Sequence, residues 1–204
     1  MKKTVSLLAA AFGLVYSVSG FTETPDVSPA VLQARLADIQ NAPAIVERGA
    51  SGNVKSTIYV FMDPNCIYCH YAWKAFRPYE VEGLEVHWIP MGFLKADSAG
   101  KGAALFQAKD GAALLAQLET NFDEKSESGG IAPLTPIPPA AQAKLDGNLN
   151  LFKQIGLQGT PAIVYKDSTG KWTEADGLPH LATLPKMLGL PPQPINDPSL
   201  VQFR

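Results

Sequence analysis

Thr57-Ile58-Tyr59-Val60-Phe61-Met62-Asp63-Pro64-Asn65-Cys66-Ile67-Tyr68-Cys69-His70 changes character twice. Its first six residues are an unbroken β-branched, aromatic and apolar run, the pattern of a strand buried on both faces. Asp63-Pro64-Asn65 then breaks the strand, and helical spacing begins. Cys69, Ala72, Trp73 and Phe76 fall at i, i+3, i+4 and i+7, which predicts a helix with one apolar stripe ending at Pro78. The two cysteines of the chain therefore sit where a buried strand turns into a helix.

That location sets their chemistry. The first turn of a helix offers unpaired N–H groups and the positive end of the macrodipole, and both favour a thiolate. At an ordinary thiol pKa near 8.5, only about 3% is ionised at pH 7. A helix-end effect of about 2 kcal/mol raises that to about a third. Cys66, nearer the helix end and more exposed, is expected to attack. Cys69, one turn in and on the apolar stripe, is expected to resolve the mixed disulfide. Ile67 and Tyr68 lie between them and are expected to tune the redox potential. As a structural staple the pair would be poor, since closing so short a ring contributes only about 2 kcal/mol before strain. A labile ring suits exchange instead.

Outward from this stretch, the N-terminus has the order of a secretory signal peptide. Met1-Lys2-Lys3 is positive, Val5 to Val15 is apolar apart from Ser6 and Gly13, and small residues follow at Ser17, Ser19 and Gly20. The apolar run is short of the roughly 20 residues that cross a bilayer. Residues 1–20 are therefore expected to be removed on export, to a compartment where disulfides persist. Removal takes two lysines and leaves a net charge of about −4, which gives no footing for nucleic acid. Residues 21–54 read as a short N-terminal helix and linker, with Ser28 as N-cap, Pro29 in the first turn and Leu32, Leu36 and Ile39 on one face. A turn follows at Gly49-Ala50-Ser51-Gly52-Asn53.

Leu84 to Ile89 alternates as a strand. Residues from about 98 to 156 are mostly helical, with a Pro-rich loop from Glu124 to Pro139 and Gly156 in a helix-ending role. Pro161 to Tyr165 reads as a strand, Asp167 to Gly170 as a turn to a partner around Trp172, and Pro179 to Leu188 as a last helix. Residues 191–204 read as a tail. The composition, 46% hydrophobic and 18% charged over 204 residues, is that of a globular protein.

Four segments in order carry a family resemblance: Asp63-Pro64-Asn65-Cys66-Ile67-Tyr68-Cys69, Ala108-Lys109-Asp110, Gly159-Thr160-Pro161-Ala162-Ile163 and Gly177-Leu178-Pro179. Together they resemble the periplasmic disulfide isomerases of the DsbC/DsbG family, over roughly residues 55–190. The resemblance implies an α/β, thioredoxin-like fold with a helical insertion, about 98–156, between its βαβ and ββα halves. It implies that Cys66 and Cys69 are the redox pair, with their own disulfide as the only redox group and no other cofactor or metal. It also implies that Thr160 and a cis Pro161 form the substrate-facing loop. The clients would be unfolded or misoxidised exported proteins in the periplasm, and a membrane thiol reductase would supply electrons. The family forms homodimers through an N-terminal domain, in whose place residues 21–54 offer one helix.

Rival readings use the same residues. A DsbA-like oxidase would run the exchange in the donating direction. Cys66-Ile67-Tyr68-Cys69-His70 also satisfies C-x-x-C-H, the attachment signature of c-type haem, with His70 as proximal ligand and Met62 or Met91 distal. A strongly β strand before the motif and a Thr-Pro strand after it have no use in haem attachment. A zinc site at Cys66, Cys69 and His70 lacks a fourth ligand. A redox-inert chaperone would not need the dithiol. His70 itself reads as a partly exposed helix residue.

Overall fold

The computed structural model describes residues 27–50 and 52–204. The signal-peptide reading of residues 1–20 lies outside the described residues, as does most of the lead-in to the first helix. Among the described residues no helix is long and apolar enough to cross a membrane.

The decisive strand is β2 (Ser56–Met62), and its pleat divides the molecule. Ile58, Val60 and Met62 point to one face, into a core shared with Ala72, Phe76 and Tyr79 of α2 (Ile67–Glu80). Tyr59 and Phe61 point to the other, against Leu32 and Ile39 of α1 (Pro29–Gln40) and Phe152 and Ile155 of α5 (Pro139–Ile155). A strand covered by helices on both faces must be apolar throughout, which is why this run lacks alternation. Four strands join it: β1 (Ile45–Arg48), β3 (Leu84–Pro90), β4 (Ala162–Lys166) and β5 (Trp172–Asp176), in the order β1-β3-β2-β4-β5. β2 and β3 run parallel across α2, and the other three pairings are antiparallel. Between β3 and β4 lie α3 (Ser98–Gln107), α4 (Gly111–Thr120) and α5, the expected helical insertion. Gly156 ends α5 with φ 91°, a left-handed conformation that glycine adopts without steric cost.

Several expectations need correction. Ile45–Arg48 belongs to the sheet rather than to a linker, so the sheet starts ahead of residue 55. Four residues are too few to show a period, and Glu47 among them reads as exposed. The second helix runs through Pro78 to Glu80. Pro78 forfeits one backbone bond, but Tyr79 is 1% exposed on the core, and its burial is worth about 2 kcal/mol or more. The last helix is shorter than read: a 3-10 turn at Leu181–Thr183 leads into α6 (Leu184–Leu188). Residues 191–204 are docked rather than a free tail. Leu200 is fully buried, the Phe203 ring is 5.5 Å from that of Tyr71, and Lys74 Nζ donates to Ser199 Oγ at 3.0 Å.

Glu47 explains how so short an edge strand is held. Its Oε2 accepts from the indoles of Trp73 on α2 (2.9 Å) and Trp88 on β3 (2.8 Å), and Arg77 Nη1 lies 3.5 Å from Oε1. Burial, with Glu80 nearby, pushes its pKa from the ordinary carboxylate value of 4.5 to about 7. The native state thus prefers Glu47 protonated. Its contribution is complete below about pH 4.5 and is lost as pH rises through 7. Glu47→Gln should therefore weaken the fall in stability between pH 5 and 8 by about 3 kcal/mol, measured as the difference between variant and unaltered chain in urea unfolding at the two pH values.

Candidate active site

The turn after β2 is a knot of buried polar bonds. Asp63 is fully buried, and its carboxylate accepts from Asn65 N–H (2.9 Å), Ser98 Oγ (2.7 Å), Phe93 N–H (2.8 Å) and Leu94 N–H (3.0 Å). Asn65 is as fully used. Its amide donates to Asp97 Oδ1 and Ser98 Oγ, both at 2.9 Å, and accepts from Lys101 Nζ at 2.8 Å and Gly129 N–H at 3.0 Å. The Lys101 ammonium, only 3% exposed, also meets Ser128 Oγ and Asp97 Oδ2, each at 2.8 Å, and holds the Asp97 carboxyl below its usual range. Gly129 is required here because a Cβ would collide with the Pro64 carbonyl. One short turn is thereby bonded to the loop after β3, to α3 and to the loop after α4.

Cys66 emerges from this turn as the N-cap of α2, one position ahead of the first-turn placement expected. Its Sγ accepts from Cys69 N–H at 3.3 Å and from the Thr160 hydroxyl at 3.2 Å, and lies 3.3 Å from the Thr160 carbonyl, to which the thiol can donate. Hydrogen bonding with Cys69 is the largest influence lowering its pKa. Burial opposes that, and Thr160 and the backbone N–H groups of Cys69 and Tyr68 reinforce it. Both cysteines are free thiols. Cys69 is fully buried, and burial pushes its thiol well up, helped by Cys66 and by the charge of Glu119. Sequence placed the attacking and resolving sulfurs on this same asymmetry. The exposures differ little, 5% against 0%, yet hydrogen bonding leads in lowering the Cys66 thiol and burial leads in raising that of Cys69.

Thr160, far from the cysteines in sequence, is brought against Cys66, and its bond to Pro161 is cis. Tyr68 is half exposed beside Cys66, and Ile67 packs partly on the core. His70 corrects its expectation, being 3% exposed with Nδ1 2.9 Å from Glu119 Oε2 and its ring stacked on Phe122. Among the described residues no group of three His, Cys, Asp or Glu side chains is placed to hold a metal. Sequence reasoning missed Asp63 as a clamp, Lys101 and Glu119. Only Asp63 gave a signal, as a carboxylate closing an otherwise apolar strand.

A family model described as a thioredoxin-like domain matches residues 46–188. The chain belongs to the thioredoxin-like domain family. This thioredoxin-like chain is 34% identical over 133 residues to the thiol:disulfide interchange protein DsbG of Pseudomonas aeruginosa, covering 65% of this chain and 50% of that protein. It is 31% identical over 137 residues to the DsbG of Escherichia coli, covering 65% and 52%. The chain thus spans about half the length of the curated relatives it matches. The catalytic domain of Proteus mirabilis ScsC superposes with a TM-score of 0.58 at 21% identity, over 79% of this chain and 96% of that one, a likeness of fold.

Thr160→Val keeps side-chain shape and removes the hydroxyl donor to Cys66. A hydrogen bond to a charged sulfur is worth about 1.5 kcal/mol or more, so the Cys66 pKa should rise by about one unit. The pH dependence of iodoacetamide alkylation at Cys66 measures it, with intact mass locating the adduct.

Proposed function

We propose that the chain is a periplasmic thiol:disulfide oxidoreductase that acts as a disulfide isomerase or reductase on exported proteins through Cys66 and Cys69. The observation that carries this reading is the unequal dithiol: one sulfur at a helix N-cap with three donors or acceptors within 3.3 Å, the other wholly buried one turn behind it. The likeness to thiol:disulfide interchange proteins supports it.

In this mechanism the Cys66 thiolate attacks a substrate disulfide in line. A Cys66–substrate bond forms, and the second substrate sulfur leaves as a thiolate and is protonated. N–H donors at the helix end stabilise the charge on Cys66 before attack. The Thr160-Pro161 loop is the substrate-facing element, where an extended client segment would lie beside Cys66 and bond to backbone. Ile67 and the exposed Tyr68 flank the reacting sulfur and set its potential. Cys69 then either closes the ring, reducing the client, or waits while another client cysteine displaces Cys66, which isomerises it. Electrons would come from a membrane thiol reductase, and the dithiol is the only redox group the reaction requires. Export by a cleaved signal peptide and assembly as a homodimer belong to the same proposal.

A disulfide-donating oxidase is the second reading, and the lowered pKa of Cys66 favours it, since a stabilised thiolate makes the reduced form the stable one. Trapping thiols in fresh cells with a mass-adding alkylating reagent separates the two. Mostly reduced Cys66 and Cys69 are expected for the isomerase or reductase, whereas a mostly oxidised pair would assign the donating direction. In the same cells Cys69→Ser should accumulate mixed disulfides with exported proteins that dithiothreitol releases, and Cys66→Ser should accumulate none.

A further inference from the structure

Asp176 closes β5 beside the loop that faces Cys66, and the exchange steps above leave it without a role. The pairing of β4 with β5 sets Asp176 opposite Ala162, the residue after Pro161. The next N–H along, that of Gly177, donates to the Pro161 carbonyl at 2.8 Å. The end of β5 is thus bonded to the Thr160-Pro161 loop. Asp176 reaches one residue further, since its Oδ1 lies 2.9 Å from the point where a Cβ on Gly159 would stand. Gly159 has no side chain, so the carboxylate is laid against its backbone. Thr160, one Cα step of about 3.8 Å further on, has its hydroxyl 3.2 Å and its carbonyl 3.3 Å from Cys66 Sγ. A Gly-Thr dipeptide therefore touches this carboxylate at one residue and the reacting sulfur at the other.

The charge is open and unneutralised. Asp176 is exposed, and among the described residues its carboxylate takes part in no ion pair and no hydrogen bond. Other acidic side chains on the surface are met by cations: Glu124 by Lys74, Glu85 by Arg48 and Asp38 by Arg35. The local fold does not require the charge either. Gly177 has φ 77°, and asparagine leads a chain into such a glycine as readily as aspartate does. A client segment that bonds to the backbone of this loop passes within reach of Asp176. Lysine or arginine beside the client cysteine would be attracted there, and aspartate or glutamate repelled.

We propose that Asp176 is a specificity-determining residue that makes the site prefer client disulfides whose cysteines are flanked by lysine or arginine. The proposal deepens the function proposed above and rests on its reading of Cys66 as the attacking sulfur and of Thr160-Pro161 as the substrate-facing loop. In the step concerned, the Cys66 thiolate gives an electron pair to one client sulfur and the Cys66–client bond forms. The client S–S bond breaks, and the second sulfur leaves as a thiolate and takes up a proton. Asp176 exchanges neither proton nor electron with the reactants. It acts on the encounter, by favouring a basic segment at the loop over an acidic one.

The test uses the full reduced chain and two peptides of equal length, each with one cysteine held as a mixed disulfide with thionitrobenzoate. One peptide has lysine on both sides of the cysteine, the other glutamate. Attack by Cys66 forms the Cys66–peptide disulfide and releases thionitrobenzoate, whose absorbance gives the second-order rate. The lysine-to-glutamate rate ratio should fall about three- to tenfold in Asp176→Asn, the effect on one or both peptides of unit charges about 6 Å apart in water. Asp176→Lys should lower it further. The ratio cancels any common effect of a variant on Cys66, and comparison between chains cancels the peptides' own reactivity. The fall should vanish in about 1 M salt, where the Debye length is about 3 Å. A ratio equal in the three chains, or a fall that persists in that salt, overturns the proposal. Release of no thionitrobenzoate from either peptide by the unaltered chain would overturn the dithiol reading and the proposal with it, so the two failures are distinct.

Discussion

A carboxylate sealed from water must be met by donors, and Asp63 sits fully buried at the end of the central strand. Its four donors come from its own turn, from α3 and from the loop after β3, so satisfying one side chain fixes three pieces of the fold relative to one another. Asn65 extends the same constraint to Lys101 and to the loop at Gly129. The strand and α2 are held by apolar burial, which is strong but non-directional. Directional bonds at the turn between them decide where the first residue of the helix points, and that residue is Cys66. A half-satisfied network of this kind would cost more than an apolar turn, and here each named polar group has its partners.

The two cysteines begin with the same chemistry and are separated by surroundings a few ångströms apart. Cys66 gains N–H and hydroxyl donors that favour charge, whereas burial and hydrogen bonding with Cys66 push the Cys69 thiol up. The difference is electrostatic rather than steric, since neither sulfur is appreciably exposed. A dithiol polarised in this way has a defined order of attack in the proposed exchange. The loop before β4 contributes to that polarity through Thr160, which bonds to the Cys66 sulfur. Segments distant in sequence thus converge on a helix end that the local sequence alone would leave only weakly activated.

The core of this fold was legible because its signals are local. The apolar run at 57–62, the Asp-Pro-Asn break, the 3.6-residue spacing after Cys66 and the glycine at 156 each state a backbone preference within a few residues. The dithiol and its facing Thr160-Pro161 loop were legible for a further reason: their motifs occur in the order that the resemblance requires. What escaped was non-local or too short. β1 has four residues, and its one carboxylate is buried by two indoles from other elements. Pro78 carries a strong local stop signal that the burial of Tyr79 overrides. His70 looked like surface because its partner, Glu119, lies in a different helix. The docked C-terminus depends on Leu200 finding a core that no residue near it announces. Buried polar pairs are the least readable feature of a sequence, since a carboxylate reads as exposed until the fold supplies its donors.

The central claim is that the fold makes one thiolate and withholds the other. Ultraviolet titration of thiolate absorbance in the fully reduced, unaltered chain, with the Cys66→Ser chain as reference, tests this most directly. The account predicts a single thiolate appearing with a midpoint below the ordinary thiol value near 8.5, lost in the Cys66→Ser chain, and a second appearing only well above that value. Two thiolates rising together at or above the ordinary value would contradict it.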